Sequence, residues 1–166
     1  MTSWRRPFRL VPPMLAMAAL TLTACTGAAG RSSHPPPTTS PTHQTLAQRY
    51  TKLVSNGNHR LEDLSKQLNE SNGNVVAIQS GFRQVSSTYR QVATSVQALP
   101  FPPGMHQDVA AMVTALNTLA HDATQGAESV TPSEFDLIFS NLAAHEKAEI
   151  AANTAVNHDL GINSIS

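Results

Sequence analysis

Cysteine occurs once in the 166 residues, at Cys25, and aromatic side chains make up 5% of the chain. A lone cysteine excludes an internal disulfide, and it leaves no cysteine pair for a metal. The chain also lacks a Gly-x-Ser-x-Gly nucleophile elbow and a glycine-rich loop that could cradle a phosphate. Acidic residues are missing from the whole N-terminal stretch before Glu62. That stretch has its own apolar run, Leu10 to Ala24, but at 15 residues it falls short of the roughly 20 a membrane-spanning helix needs. Pro12-Pro13 would break such a helix in any case.

What is present at the N-terminus has the three-part order of an export signal. Arg5, Arg6 and Arg9 form a basic front, the uncharged run follows, and small residues close it. The closing residues Leu22-Thr23-Ala24-Cys25 resemble the lipobox of bacterial lipoproteins: an aliphatic residue, two small ones, then the cysteine that is acylated after cleavage. The resemblance implies a lipid-bearing, palmitate-type modification at Cys25, removal of residues 1–24 and a membrane-anchored extracytoplasmic protein. Two acyl chains anchor stably where one is marginal. Arg5-Arg6-Pro7-Phe8 also resembles the twin-arginine export motif, with Trp4 and Arg9 departing from its usual neighbours, so the general and twin-arginine routes both stay open.

Residues 25–41 are small, polar and proline-rich, and with so little apolar surface they cannot offset the entropy of ordering. They read as a disordered tether. The remaining residues, 42–160, are enough for one domain, with 161–166 a short tail. Their apolar residues recur at steps of three and four. Val75, Ile78, Phe82, Val85, Tyr89, Val92, Val96 and Leu99 form the clearest stripe. Leu46, Tyr50, Leu53, Gly57, Leu61, Leu64 and Leu68 form another, with Gly57 either a close-packing point or a local break. Met105, Val109, Met112, Leu116, Leu119 and Ala123 mark a third. Phe135, Ile138 or Phe139, Leu142, Glu149, Val156 and Leu160 mark a fourth.

Punctuation agrees with the period. Ser71-Asn72-Gly73-Asn74 and Pro100-Phe101-Pro102-Pro103-Gly104 divide the stripes, and Thr131-Pro132-Ser133-Glu134 reads as a capping box with proline at the first helical position. The spacing predicts an all-α, antiparallel up-down four-helix bundle with helices near 43–70, 74–99, 104–127 and 132–160. The first seam runs in phase from Leu68 through Ser71 to Val75, which also fits one long rod; four segments of matching length favour the bundle. An aromatic early in helix one, a second helix ending at a proline-rich corner, and an alanine-rich last helix ending Asn157-His158-Asp159-Leu160-Gly161-Ile162 together resemble small actinobacterial lipoproteins of unassigned function. That resemblance implies no activity.

Chemistry-bearing residues are few. His145-Glu146-Lys147-Ala148-Glu149 approaches the His-Glu-x-x-His metalloprotease motif but has Glu149 in place of the second histidine. His145 and Glu149, four apart, remain a minimal candidate pair for a metal on one helical face. His121-Asp122 and His158-Asp159 look like paired groups, yet neighbours on a helix point about 100° apart and need another helix to act together. His158 also suits the negative end of a helix. Two registers fit the fourth helix, one through Phe135, Ile138, Leu142 and His145, the other through Phe135, Phe139, Leu142 and Glu146. Both bring the core-facing stripe to Glu149, where a carboxylate must be paired or protonated unless the helix turns it to the rim. Eleven residues separate it from Leu160, and the same count back from Leu99 reaches Thr88, so Tyr89 or Arg90 is the expected partner across the core.

Removing Arg5, Arg6 and Arg9 with the leader leaves a formal charge of −3, which speaks against nucleic acid as a partner. The first two helices carry a balance of +3 and the last two −7, so the halves attract. The leading expectation is a non-enzymatic interaction module that meets an envelope protein or polymer, with no cofactor. The alternative is a carrier of an apolar ligand, haem or metal, which would need a cavity lined by Met105, Met112, Phe139 and Glu149.

Overall fold

The computed structural model describes residues 41–162. The leader, the Leu22-Thr23-Ala24-Cys25 motif and the tether before residue 41 lie outside the described residues. Four helices follow in order: α1 (Pro41–Glu70), α2 (Val75–Gln97), α3 (His106–Glu128) and α4 (Pro132–Asp159), with a short 3-10 turn over Pro103–Met105 leading into α3. No strand occurs among the described residues. Helix α2 packs against both α1 and α3, and α3 against α4. Short turns between successive helices make each pair antiparallel. A hydrogen bond from the Tyr50 hydroxyl to Asn153 Oδ1, 2.7 Å, links α1 to α4. The architecture is an all-α up-down bundle, and none of the described helices is long and apolar enough to cross a membrane.

The turn at residues 71–74 settles the choice between a rod and two helices. Asn72 (φ 49°) and Gly73 (φ 80°) both enter the left-handed region, which a continuous right-handed helix does not contain. Asn74 then caps α2 by accepting a hydrogen bond from the Ala77 N–H at 3.1 Å. At the start of α4 the capping box is complete. Thr131 Oγ1 accepts from the Glu134 N–H, while Glu134 Oε2 accepts from the N–H groups of Thr131 and Val130 at 2.9 and 2.8 Å. Those donors hold the Glu134 carboxyl below its ordinary range.

The stripes read from the sequence are the core. Every position of the α3 stripe is buried, and so are the six inner positions of the α2 stripe, Ile78 to Val96. Gly57 is a close-packing point, since a Cβ there would lie 2.7 Å from a methyl of Val92 on α2. The sequence reading passed over a second set of small buried residues: Ala93 on α2, and Ala115, Ala120, Gly126 and Ala127 on α3. Small side chains let helices approach closely, and α2 and α3 are the most extensively packed pair. Phe82 fills the notch left by Gly126, stacks parallel to Phe135 at 6.1 Å and tilts against Phe139 at 5.3 Å. One ring thus joins α2, α3 and α4.

A Cβ at residue 126 would sit 2.8 Å from a ring that Phe135 and Phe139 hold in place. Gly126→Ala is expected to destabilise the fold by about 1–3 kcal/mol, the usual range for overpacking. Gly104→Ala, with nothing within 4 Å, is expected to stay within about 0.5 kcal/mol of wild type. Urea unfolding of the two variants checks the pair.

Candidate functional site

Helix α4 is apolar at its ends and polar in its middle. Phe135 and Ile138 anchor the first two turns, and Ala152, Val156 and Leu160 anchor the last. Between them the inward positions are Leu142, His145 and Glu146, all half-buried, and then Glu149, which is 1% exposed. His145 and Glu146 share the boundary, so the helix takes up neither of the two registers cleanly. Past Leu142, its middle turns bring a histidine and two carboxyls to the interior without a large aliphatic side chain among them.

Each neighbouring helix presents a polar group to this stretch. From α3 comes Asp122, whose side chain is 5% exposed. Its Oδ2 lies 2.6 Å from His145 Nδ1, while the imidazole remains 45% exposed. A histidine beside a buried carboxylate donates its Nδ1–H to it, which fixes the ring and leaves Nε2 as the outer nitrogen. From α1 comes Tyr50, hydrogen-bonded to Asn153, and Asn157 Nδ2 donates to the same Asn153 oxygen at 3.4 Å. From α2 comes Tyr89, buried in the core.

Glu149 lies at the centre without a compensating partner. Its Oε1 is buried and has no hydrogen bond. Removal from water, and secondarily the neighbouring Glu146 charge, push its carboxyl up from 4.5 to about 7. Burial raises Glu146 as well. Both tyrosines are raised, chiefly by burial: Tyr89 also feels the charges of Glu146 and Glu149, and Tyr50 that of Glu149. Placing Glu149 in the core near Tyr89 agrees with the height count along α2 and α4.

Arg90 takes another course. Its Nη2 donates to Thr124 Oγ1 of α3 at 3.0 Å. Residues 89 and 90 point about 100° apart on their helix, so both cannot turn to Glu149. Thr124 is itself bound to Ser86 at 2.9 Å, which makes a polar seam between α2 and α3. Pairing of Glu149 with Arg90 is therefore corrected, and no hydrogen bond joins Glu149 to Tyr89 among the described residues.

The other expected pairs come apart. His145 Nδ1 is occupied by Asp122, Glu149 points into the interior, and no group of three metal-ligating side chains occurs among the described residues. Asp122 and His121 do not act together, since His121 turns outward to Gln125. His158 lies in the last turn of α4, exposed, 3.4 Å from Asp159. Met105 and Met112 are buried in the hydrophobic core. The Asp122–His145 link was missed in the sequence because each residue was weighed against its chain neighbours and not across helices. The opposed charges of the two halves meet in no ion pair among the described residues, so their attraction acts only at longer range. Compared with known protein families, curated proteins and solved structures, the chain matches none.

Glu149 makes stability depend on pH with a definite sign. Below about pH 4.5 the carboxyl is protonated whether the chain is folded or not. Between 4.5 and about 7 only the unfolded chain ionises, so folding takes up a proton and stability falls as pH rises. Above 7 the loss levels off at about 3 kcal/mol. Glu149→Gln keeps the shape without the charge. It is expected to be 1–3 kcal/mol more stable than wild type at pH 8 (about the same scale) and nearly equal to it at pH 4.5, as read from paired urea melts.

Proposed function

We propose that this protein is a lipid-anchored extracytoplasmic lipoprotein whose helical bundle serves as a non-enzymatic interaction module. The observation that carries the reading is the run Leu22-Thr23-Ala24-Cys25 at the end of a basic-then-apolar leader. An exposed thiol on an exported chain with no second cysteine is accounted for by acylation. The tether then spaces the bundle from the membrane surface, and α1 begins where the tether ends.

The interior supports binding at the surface in preference to binding within. Phe82, Met112, Leu116, Leu119 and Phe135 are all fully buried against neighbours, which is the use expected of structural side chains. The outer surface offers Val76, Val130 and Leu137, each more than half exposed. The partner in this reading is an envelope protein or polymer, and the net negative mature chain disfavours nucleic acid. A carrier of an apolar ligand, haem or metal is the second reading. It rests on the buried, unbonded Oε1 of Glu149.

Wild-type protein is expected to incorporate labelled palmitate and to fractionate with membranes, and Cys25→Ser to lose both. A mutant that stays in the membrane fraction would mean that the leader itself is the anchor. Affinity capture of the lipidated protein from its own membrane, after cross-linking, separates the two readings. A macromolecular partner supports the interaction module, whereas a stoichiometric small molecule supports the carrier.

A further inference from the structure

The middle of α4 is held in an unusual way. Over the three turns from Leu142 to Ala152, the hydrogen-bonding contacts to other helices among the described residues are those of His145 with Asp122 and, at the lower boundary, of Asn153 with Tyr50. Aliphatic anchoring resumes only at Ala152 and Val156. Glu149 fills the central inward position with an unbonded oxygen.

We propose that residues 142–152 form a proton-operated latch, seated against α1, α2 and α3 when Glu149 is neutral and loosened when it has lost its proton.

A neutral Glu149 carboxyl can stay in the core, while its carboxylate must find water or a cation. The groups around it are Tyr50 on α1, Tyr89 on α2, Asp122 on α3 through His145, and His145 and Glu146 on α4 itself. None of them is a permanent cation. Arg49, Lys52 and Lys147 are exposed, and Arg90 is turned to Thr124. An ionised Glu149 therefore has no attraction to hold it inside, and the nearby Glu146 carboxylate adds repulsion. The His145–Asp122 contact, 2.6 Å, ties the turn before Glu149 to α3. Protonation of Glu149 thus favours the seated helix, and its ionisation the loosened one. The apolar ends of α4, Phe135 with Ile138 and Val156 with Leu160, stay anchored throughout, so the motion is a local opening of the middle and not a release of the helix.

Native-state hydrogen exchange on the purified full-length protein tests this, with rates corrected for the intrinsic pH dependence of exchange. Peptides covering residues 140–152 are expected to lose roughly thirty-fold in protection between pH 5.5 and pH 8, from the proton linkage of Glu149 alone. Peptides of α2 covering residues 80–95 are expected to hold theirs. In Glu149→Gln and in Glu149→Leu the middle of α4 is expected to be equally protected at both pH values. The latch is overturned if wild-type 140–152 peptides keep constant protection, or lose it in step with α2. It is also overturned if Glu149→Gln keeps the wild-type pH dependence, or if both variants are open at both pH values.

Discussion

A carboxyl group has to be seated inside this bundle with no cation beside it, and the design of α4 answers to that constraint. A helix with an acid on its core face can dock only if apolar turns elsewhere supply the binding. Here Phe135 and Ile138 do so at one end, and Ala152, Val156 and Leu160 at the other. The side chains between them are those that polar neighbours can tolerate: His145 against Asp122, and Asn153 against Tyr50. Replacing a buried charged or polar group by an apolar one often raises stability, so Glu149 is not explained by stability.

The other three helices give α4 a firm surface. Alanines and glycines on the α2 and α3 faces bring those helices close, and Phe82 lies in the space that Gly126 leaves, against two rings from α4. Ser86 and Thr124 bond to each other, and both also bond to the carbonyl of Ala120, so the polar atoms at that seam are partnered within it. Polar groups in the α2–α3 interface are thus satisfied, whereas the polar group at the centre of α4 is not. Opening is therefore expected in α4.

Helical stripes and their boundaries were legible in the sequence because apolar period and turn chemistry are local. Asn72-Gly73 marks a left-handed turn, and Thr131 to Glu134 a capping box, whatever the rest of the chain does. Burial of Glu149 was legible too, because it lies on the stripe in both registers. What local reasoning could not supply was which side chains meet across helices. Counting from the α3–α4 turn puts Asp122 level with a residue about two turns before His145, on the order of 10 Å away along the axis. Side chains lean toward the N-terminus of their own helix, so in an antiparallel pair Asp122 and His145 lean toward each other and close part of that gap. Arg90 was misassigned for a related reason: a height count gives the level but not the side of the helix. The second, small-residue face of α2 and α3 was overlooked because alanine carries little signal beside the larger residues of the main stripe.

If Cys25 carries a lipid, as proposed, the pH sensitivity proposed for α4 lies outside the cytoplasmic membrane. The sensitivity of α4 depends on Glu149 being a buried acid without a counter-charge. Carbon-13 NMR of the protein labelled at the glutamate carboxyl carbons, followed from pH 3 to pH 9, reads this group directly. One resonance with a midpoint near 7 is expected, absent from the spectrum of Glu149→Gln. A Glu149 resonance that titrates with the exposed glutamates, near 4.5, would contradict it.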